Sequence, residues 1–381
     1  MKTPTLQEML TDLIGAASVS SVNPAWDMSN GKVIEQLEGW FNTLGFKTEV
    51  VPIPGQTDKF NLIASAGHGD DGLVLSGHTD TVPFDEEKWQ SDPLKLQERD
   101  QRFYGIGSAD MKGFFAVIIE ALRELPLQQL KQPLVIIATA DEESTMCGAK
   151  SLAELHRRLG RHAVIGEPTG LKPVHMHKGI SMESIRLSGR SGHSSDPTLG
   201  INALDGMYSV LGEVIRWRSD LQRRYRNPAF EVAFPTLNLG HIHGGDNPNR
   251  ICGQCELQFD LRPLPGMSLE NLRGELKHRL GESLRDSGLK WELISVFDGI
   301  PAMETPREAA IVKAVERLTG AEAGAVAFGT EGPYLNSMGM ETVICGPGCI
   351  EQAHQPNEYI PLKHIQPAIK LIQSLIRQFC L

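Results

Sequence analysis

The sequence contains little cysteine, no excess of basic residues and no long apolar run. Its six cysteines are irregularly spaced over 381 residues, which fits a reducing compartment better than a secreted disulfide framework. With 37 basic against 47 acidic side chains the formal net charge is −10, and no basic stripe indicates nucleic-acid binding. No segment approaches about 18 uninterrupted apolar residues, and the N-terminus leads into an amphipathic pattern, so we expect a cytoplasmic protein without membrane contact.

The composition is that of an ordinary soluble globular protein, with 40% hydrophobic and 22% charged residues. The chain is too long for one typical domain and suits two. A chain of this length buries enough surface to fold without metals or disulfides. Any metal ligands are therefore interpreted as functional before structural.

Short apolar runs alternate with helical patterns in the first 179 residues. Buried strands are predicted at 73–75, 134–137 and 163–165, and a helical stripe extends from Phe114 to Leu125 between the first two. This alternation predicts an α/β fold with a mostly parallel central sheet.

The pattern changes between residues 180 and 297. Strands are predicted at 181–188, 236–242, 251–262 and 291–297, with helices at 204–215 and 269–280. The order β-α-β-β-α-β is the ferredoxin-like α+β arrangement. After residue 297 the α/β pattern resumes and ends in an amphipathic helix. The sequence therefore predicts one larger domain, residues 1–179 and 298–381, with a smaller domain inserted at 180–297.

Polar residues follow the predicted strands of the larger domain. They are His78 and Asp80 after the first strand, Glu142 and Glu143 after the second, Glu167 after the third, and His354 beyond the apolar run 342–345; Asp110 precedes the helix that begins near Met111. Ligand sites in open α/β sheets lie beyond the carboxyl ends of strands, so we expect these side chains to converge.

The combination of imidazole and carboxylate groups favours zinc or a neighbouring first-row metal, whereas an all-oxygen set would suit magnesium or calcium better. Five ligands are too many for one catalytic zinc, but they suit two ions about 3.5–4 Å apart that share a carboxylate and a water. Two divalent ions, three ligating carboxylates and one hydroxide also sum to zero charge.

Each residue alone has an ordinary structural explanation. Glu142 and Glu143 are typical of a solvated helix start, Asp110 of an N-cap, Glu167 of a turn before Pro168, and His354 of a satisfied surface histidine. Only their joint placement beyond apolar strands favours a catalytic site.

Five motifs in this order resemble those of the co-catalytic zinc amidohydrolases and exopeptidases, a family that includes succinyl-diaminopimelate desuccinylase and glutamate carboxypeptidase. The motifs are residues 76–83 (SGHTDTVP), 107–113 (GSADMKG), 139–143 (TADEE), 166–169 (GEPT) and 352–358 (QAHQPNE). The resemblance covers essentially the whole chain. Residues 236–246 and 260–267 are most similar to the members that deacetylate N-acetylornithine.

The resemblance implies that His78 and Glu167 bind one metal, that Glu143 and His354 bind the other, and that Asp110 bridges both. The expected cofactor is a pair of divalent ions, zinc first, with cobalt or manganese as alternatives.

The resemblance also implies roles for three further residues. Asp80 accepts a hydrogen bond from the far nitrogen of His78. Glu142 acts as the general base: it takes a proton from the bridging water, the hydroxide attacks the amide, and Glu142 passes the proton to the departing amine. His193 stabilises the oxyanion from the partner subunit, so a homodimer formed through the inserted lid and dimerisation domain is expected.

Substrate recognition is expected at Arg250 and its neighbour Asn249, since Arg250 matches a family position that suits a substrate carboxylate. Thr330 and Glu331 match a substrate-lining segment in which related desuccinylases carry an arginine. We hypothesise that Glu331 binds the ornithine ammonium group, so that Glu331→Gln weakens acetylornithine binding more than that of neutral N-acetyl amino acids.

The expected activity is hydrolysis of N2-acetyl-L-ornithine to L-ornithine and acetate in arginine biosynthesis. A related deacylase, desuccinylase or dipeptidase of the same family is the alternative. A non-catalytic relative is disfavoured because every ligand position and the base are present. The Cys252-x-x-Cys255 pair invites a redox or zinc-ribbon interpretation, but without a second pair at suitable spacing a structural role is favoured.

Overall fold

The computed structural model describes residues 3–381, which divide into two compact units. The first unit contains the chain up to His175 together with Thr305–Gly324 and Thr330–Leu381. The second unit contains Met176–Glu304 and Ala325–Gly329.

The α-helices of the described chain, in order, are α1 (Leu6–Gly15), α2 (Gly31–Thr43), α3 (Lys112–Leu122), α4 (Cys147–Glu154), α5 (Ala203–Arg224), α6 (Leu269–Ser283), α7 (Ala310–Thr319), α8 (Gly332–Ser337) and α9 (Leu362–Phe379). The strands are β1 (Lys47–Pro52), β2 (Phe60–Ala66), β3 (Leu73–His78), β4 (Gln97–Arg99), β5 (Arg102–Tyr104), β6 (Leu134–Thr139), β7 (His162–Ile165), β8 (Val174–His177), β9 (Ile180–Ser188), β10 (Thr236–Gly244), β11 (Gln254–Arg262), β12 (Lys290–Ile300), β13 (Met303–Glu304), β14 (Gly324–Val326), β15 (Glu341–Ile344) and β16 (Tyr359–Pro361).

The largest sheet has the order β1-β2-β6-β3-β7-β15-β8-β13, with β14 paired to β8. Its four central strands, β6, β3, β7 and β15, are mutually parallel, and the pairs that flank them are antiparallel. Parallel neighbours end at the same edge of a sheet, so the segments that follow β6, β3, β7 and β15 emerge side by side. The predicted α/β class with a parallel centre is confirmed.

The central strands are apolar because they are covered on both faces, which is typical of parallel sheets. Every residue of β3, β6 and β7 is buried. Helix α3 is almost wholly buried as well and packs against α1 and α9 in the main core. The result is a rigid scaffold whose polar residues lie where the strands end.

The second unit contains a separate antiparallel sheet with the order β10-β11-β9-β12. The chain order β9-α5-β10-β11-α6-β12 is the β-α-β-β-α-β pattern that the sequence predicts. Helices α5 and α6 contribute Trp217, Leu221, Leu276 and Leu280 to its core. Among residues 3–381, no helix combines the length and apolarity needed to cross a membrane.

Several element boundaries differ from the predictions. Helix α3 ends at Leu122 and not at Leu125, and β11 begins at Gln254, so Cys252 precedes the strand. Sequence periodicity also misses the antiparallel strands β1 and β2 and the small sheet β16-β5-β4. The three strands of that small sheet have three residues each, which is too short to show an alternating pattern.

Candidate metal centre

Three of the central strands deliver polar side chains to one edge of the sheet. His78 is the last residue of β3, Glu142 and Glu143 lie just beyond β6, and Glu167 follows β7 by two residues. In the register of the sheet, His78 lies opposite Thr139, so β3 and β6 end level. Ile165 lies opposite Ser76, so β7 ends two residues earlier and Glu167 lies two residues beyond its end. The convergence expected from strand order is therefore present in the structure.

Asp110 lies between two histidine–glutamate pairs. Its Oδ1 is 3.0 Å from His78 Nε2, which is also 3.8 Å from Glu167 Oε1. Its Oδ2 is 3.6 Å from His354 Nε2, which is 2.9 Å from Glu143 Oε2. The two oxygens of one carboxylate thus face two different imidazoles, as a bridging ligand requires.

Asp110 is not the N-cap of α3, because Met111 occupies that position and makes no side-chain capping hydrogen bond. The ordinary structural explanation for Asp110 therefore does not apply. His78, Asp110 and Glu167 are buried, Glu142 is partly buried, the Glu143 side chain is 7% exposed, and the His354 side chain is 55% exposed. The cluster is open to solvent on the side of His354.

The acidic side chains of the cluster repel one another. Burial and the charge of Glu167 raise the pKa of Glu142, and burial and the charge of Asp110 raise the pKa of Glu143 and of Glu167. The hydrogen bond to Glu143 raises the pKa of His354 to about 9. Such a set of groups gains stability from bound positive charge.

The orientation of His78 is set mainly by the backbone. Its Nδ1 lies 3.0 Å from the main-chain oxygen of Asp80 and 3.6 Å from the Asp80 carboxylate. An Nδ1–H that donates to this carbonyl leaves Nε2 as a free lone pair facing Asp110. The expected contact between His78 and the Asp80 carboxylate is thus longer than the contact between His78 and the Asp80 main-chain oxygen.

The carboxylate of Asp80 has another function in the site. It is buried, and it accepts hydrogen bonds from the backbone N–H groups of Glu142 at 3.2 Å and of Glu143 at 3.0 Å. Asp80 therefore fixes the segment that carries the predicted base and one predicted ligand.

Lys59 holds the same segment through an ion pair with Asp141. Its buried ammonium group lies 2.7 Å from Asp141 Oδ1 and 2.8 Å from Asp27 Oδ1. Asp141 directly precedes Glu142 and has φ of 53°, in the left-handed region that non-glycine residues rarely adopt. The sequence gives no local signal for this anchor, because Lys59 and Asp141 are 82 positions apart.

Lys112 and Glu358 are two further buried charges near the cluster. The Lys112 ammonium group donates to the carbonyl of Ala16 at 2.9 Å, and burial lowers its pKa to about 7. The Glu358 carboxylate accepts three backbone N–H groups from residues 107–110. Both residues lie within the recognised motifs, but their contacts are not predictable from residue type.

Thr330 and Glu331 are buried residues of the first unit. The two oxygens of Glu331 accept hydrogen bonds from the hydroxyls of Ser76 and Thr139, the latter at 2.7 Å. A carboxylate has about four acceptor sites, so these two hydroxyls leave capacity for a further donor such as a substrate ammonium group. The contact of Glu331 with that group stays a prediction.

His193, Asn249 and Arg250 belong to the second unit, where they lie close together. His193 and Arg250 form an isolated antiparallel bridge, and the main-chain oxygen of Asn249 accepts from Ser194 N at 3.1 Å. All three are exposed, and Arg250 pairs with Asp246 at 2.6 Å. Arg250 lines a cavity of about 430 Å³ that also includes Ser191, His243 and several glycines. Nearby, Cys252 and Cys255 are buried free thiols.

A second cavity, of about 190 Å³, adjoins the metal cluster within the first unit. His354 lines it together with apolar side chains that include Val82, Phe84 and Trp89. It provides a mainly apolar wall beside one of the predicted ligands.

The donor set fits two divalent cations. Two imidazole nitrogens and three carboxylates suit zinc, cobalt or manganese. His78, Asp110 and Glu143 each offer an atom within 4.8 Å of the others, and so do His78, Glu142 and Glu167. The repelling carboxylates and the shared Asp110 are both explained by a pair of ions.

Comparison with known proteins identifies a matching family and relatives that align over almost their full length. The model of the peptidase family M20/M25/M40 matches residues 74–378. Acetylornithine deacetylase of Pasteurella multocida is 46% identical over 379 residues, which are 100% of this chain and 99% of the relative. Acetylornithine deacetylase of Pectobacterium carotovorum is 47% identical over 384 residues, with 100% and 99% coverage.

Solved structures with lower sequence identity share the fold. A tripeptidase from Staphylococcus aureus superposes with a TM-score of 0.74 at 20% identity, covering 100% of this chain and 99% of that one. The YXEP protein of Bacillus subtilis, described as a dinuclear metal binding peptidase, superposes with a TM-score of 0.69 at 15% identity, with 98% and 97% coverage.

Proposed function

The chain belongs to the peptidase family M20/M25/M40, and we propose that it is a metal-dependent amidohydrolase that converts N2-acetyl-L-ornithine to L-ornithine and acetate. This places it in arginine biosynthesis. The observation that carries the chemistry is Asp110, whose two oxygens face two separate histidine–glutamate pairs. The substrate is supported by full-length similarity to acetylornithine deacetylases.

We propose that His78 and Glu167 hold one cation, that Glu143 and His354 hold the other, and that Asp110 is shared. Zinc is the first choice, with cobalt or manganese as alternatives. When bound, such a pair supplies Lewis acidity, which polarises the amide carbonyl and lowers the pKa of water.

Glu142 is the proposed proton carrier. It is not required as a ligand, and its backbone N–H is held by Asp80 next to the ligand Glu143. Burial and the charge of Glu167 raise its pKa, which makes it a stronger base towards water. In the proposed reaction Glu142 takes a proton from the attacking water and then delivers it to the leaving amine of ornithine.

Arg250 and Asn249 are proposed substrate contacts. Arg250 lines a cavity of the second unit and offers a guanidinium group to the substrate carboxylate. Thr330 and Glu331 are further proposed contacts, and both accept buried hydrogen bonds.

A homodimer and a catalytic role of His193 across it are part of the proposal. Helix α5 exposes Leu204, Tyr208 and Ile215, which are 45%, 82% and 41% accessible and lie at helical spacing. An exposed apolar stripe of this kind suits contact with a second copy of the chain. The six free cysteines agree with the proposed cytoplasmic location.

Subunit mixing tests the role of His193. Glu142→Ala and His193→Ala are each expected to be inactive, and in mixed dimers a trans-acting His193 completes one of two sites. Random mixing then restores about a quarter of wild-type activity. Absence of restoration in dimers that demonstrably exchange subunits would show that His193 does not act across the interface.

The function itself is tested by steady-state hydrolysis. Acetylornithine, succinyl-diaminopimelate and small dipeptides are compared with and without a chelator, and with Glu142→Ala. We expect acetylornithine to have the highest kcat/KM, the chelator to abolish turnover, and Glu142→Ala to lower kcat by about 10²- to 10⁴-fold. Glu154→Ala, an exposed glutamate at the end of α4, is the matched control. Turnover that ignores both treatments would refute the mechanism, and a preference for another substrate would select the alternative family activity.

A further inference from the structure

The bridging position of Asp110 depends on a segment without regular secondary structure. Residues 105–111 connect β5 to α3 and include Gly105 and Gly107, whose φ values are 151° and 76°. The φ of Gly107 lies in the left-handed region, so any other residue would be strained there, and its side chain would also approach Lys112 Cε to 2.6 Å. Such a segment cannot satisfy its own backbone N–H groups by a helix or a strand, and it needs external acceptors.

Glu358 supplies those acceptors. Its Oε2 accepts from Gly107 N at 3.0 Å, and its Oε1 accepts from Ala109 N at 2.8 Å and from Asp110 N at 2.9 Å. The side chain is 3% exposed, so water does not compete for these donors. One carboxylate therefore binds three of the four residues that end in Asp110, including the backbone of Asp110 itself.

The segment that carries Glu358 is also connected to the metal cluster. Glu358 follows His354 by four residues, and the main-chain oxygen of Glu358 accepts from Gly105 N at 3.1 Å. The next residues form β16, which pairs with β5 through Tyr359 and Tyr104. The segment that contributes one predicted ligand thus also holds the segment of another, 248 positions away in sequence.

We propose that Glu358 is a positioning residue: it fixes the backbone of residues 107–110 and thereby aims the two oxygens of Asp110 at the two cation positions. It acts through Asp110 and is neither a metal ligand nor in contact with the substrate. The proposal rests on the metal-dependent function proposed above and extends it to a residue outside the ligand set.

The hydrogen-bond pattern requires two acceptor oxygens at this position. All three groups bound by the Glu358 carboxylate are backbone N–H donors. A carboxamide of the same size keeps only one acceptor oxygen and turns its NH₂ group, itself a donor, towards at least one of these N–H groups.

The test compares Glu358→Gln and Glu358→Asp with two controls. Glu351→Gln changes an exposed glutamate in the same segment. Glu183→Gln removes a buried carboxylate, 2% exposed and paired with Arg273 at 2.6 Å, in the second unit. This second control separates loss of a buried charge from loss of positioning. The readouts are zinc affinity by competition with a chromophoric chelator, the visible absorption of the cobalt-loaded proteins, and kcat and KM at saturating metal.

We expect Glu358→Gln to lower zinc affinity by about 10- to 100-fold and to alter the cobalt spectrum. Its kcat is expected to fall at saturating metal while KM for acetylornithine changes less than twofold, because the Glu358 carboxylate is bound to the backbone of residues 107–110. Glu358→Asp keeps the charge but is one methylene too short, so it is expected to lie between wild type and Glu358→Gln. Glu183→Gln is expected to lower the unfolding temperature and to leave zinc affinity and the cobalt spectrum unchanged.

Wild-type zinc affinity and cobalt spectrum in folded Glu358→Gln would overturn the proposal and leave the proposed function intact. If Glu358→Gln does not fold, the same readouts on Glu358→Asp decide, and a wild-type result there overturns it equally. A wild-type protein that binds no zinc at this cluster would remove the proposed function and the inference together.

Discussion

Replacing Lys59 with methionine isolates the anchor of the Glu142 segment. Methionine keeps much of the apolar stem and removes the ammonium group, which leaves Asp141 buried without its partner at 2.7 Å. Removing one member of a buried ion pair typically destabilises a protein by about 3–5 kcal/mol. The Asp27 side chain is 30% exposed, so water replaces that contact, and we expect a loss at the lower end, about 3 kcal/mol at pH 8.

The loss should depend on pH in a defined direction. Burial already raises the pKa of Asp141 against the opposing effect of Lys59, and without Lys59 it rises further. A carboxyl whose folded-state pKa is raised binds its proton more tightly in the folded than in the unfolded chain. Its folded state is therefore destabilised as pH rises. The difference in free energy of unfolding between variant and wild type should be small at pH 5 and largest at pH 8.

The assay is urea unfolding of the metal-free proteins at both pH values, together with kcat of the loaded enzymes. Lys59→Met with Asp141→Asn should recover most of the lost stability, because the amide carries no charge. Lys95→Met, which removes an exposed lysine paired with Asp92 at 2.8 Å, should leave stability unchanged. We expect kcat of Lys59→Met to fall by about 10- to 100-fold, since Asp141 directly precedes the base. A loss that is independent of pH, or a double variant as unstable as Lys59→Met alone, would show that the Lys59–Asp141 ion pair does not stabilise this segment.

Three further predictions follow from the structure. Glu331→Gln should lower kcat/KM for acetylornithine more than for N-acetylnorvaline, which lacks the ammonium group; equal losses for both substrates would remove the proposed contact. Burial lowers the pKa of His177 to about 4 in the folded chain. As the pH falls, the unfolded chain therefore binds a proton at this histidine before the folded chain does. The free energy of unfolding of the wild type should fall by up to about 3 kcal/mol between pH 6.5 and 4 for this reason. In urea titrations His177→Gln should remove this part of the decline, and parallel pH profiles would contradict it. Metal binding should release protons, because burial and mutual repulsion raise the pKa of Glu142 and Glu167 in the metal-free protein. Calorimetry of metal binding in two buffers of different ionisation enthalpy measures this release. Identical binding heats in the two buffers would count against it.

The part of the site that follows regular strands is predictable from sequence. His78, Glu142 and Glu167 come at the ends of fully apolar runs, and parallel strands must end at a common edge. Asp110 and His354 do not directly follow a strand. Their assignment depends on the ligand chemistry and on the family resemblance.

The contacts that hold the site together are not predictable in this way. Lys59 reaches Asp141 over 82 positions and Glu358 reaches Asp110 over 248, and no local periodicity reports such pairs. Asp80 shows the same limit, because its motif indicates a partner for His78 while its carboxylate also holds the backbone of Glu142 and Glu143. Residue type predicts which groups bind a metal, whereas the buried hydrogen bonds that position them depend on the tertiary fold.

In the proposed metal centre one carboxylate, Asp110, binds two cations. The decisive measurement is an anomalous difference map of crystals of the zinc-loaded protein, recorded at the zinc edge. Two peaks about 3.5–4 Å apart are expected. Each peak should lie about 2.0–2.2 Å from a different oxygen of Asp110. A single peak, or two peaks that do not share Asp110, would contradict it.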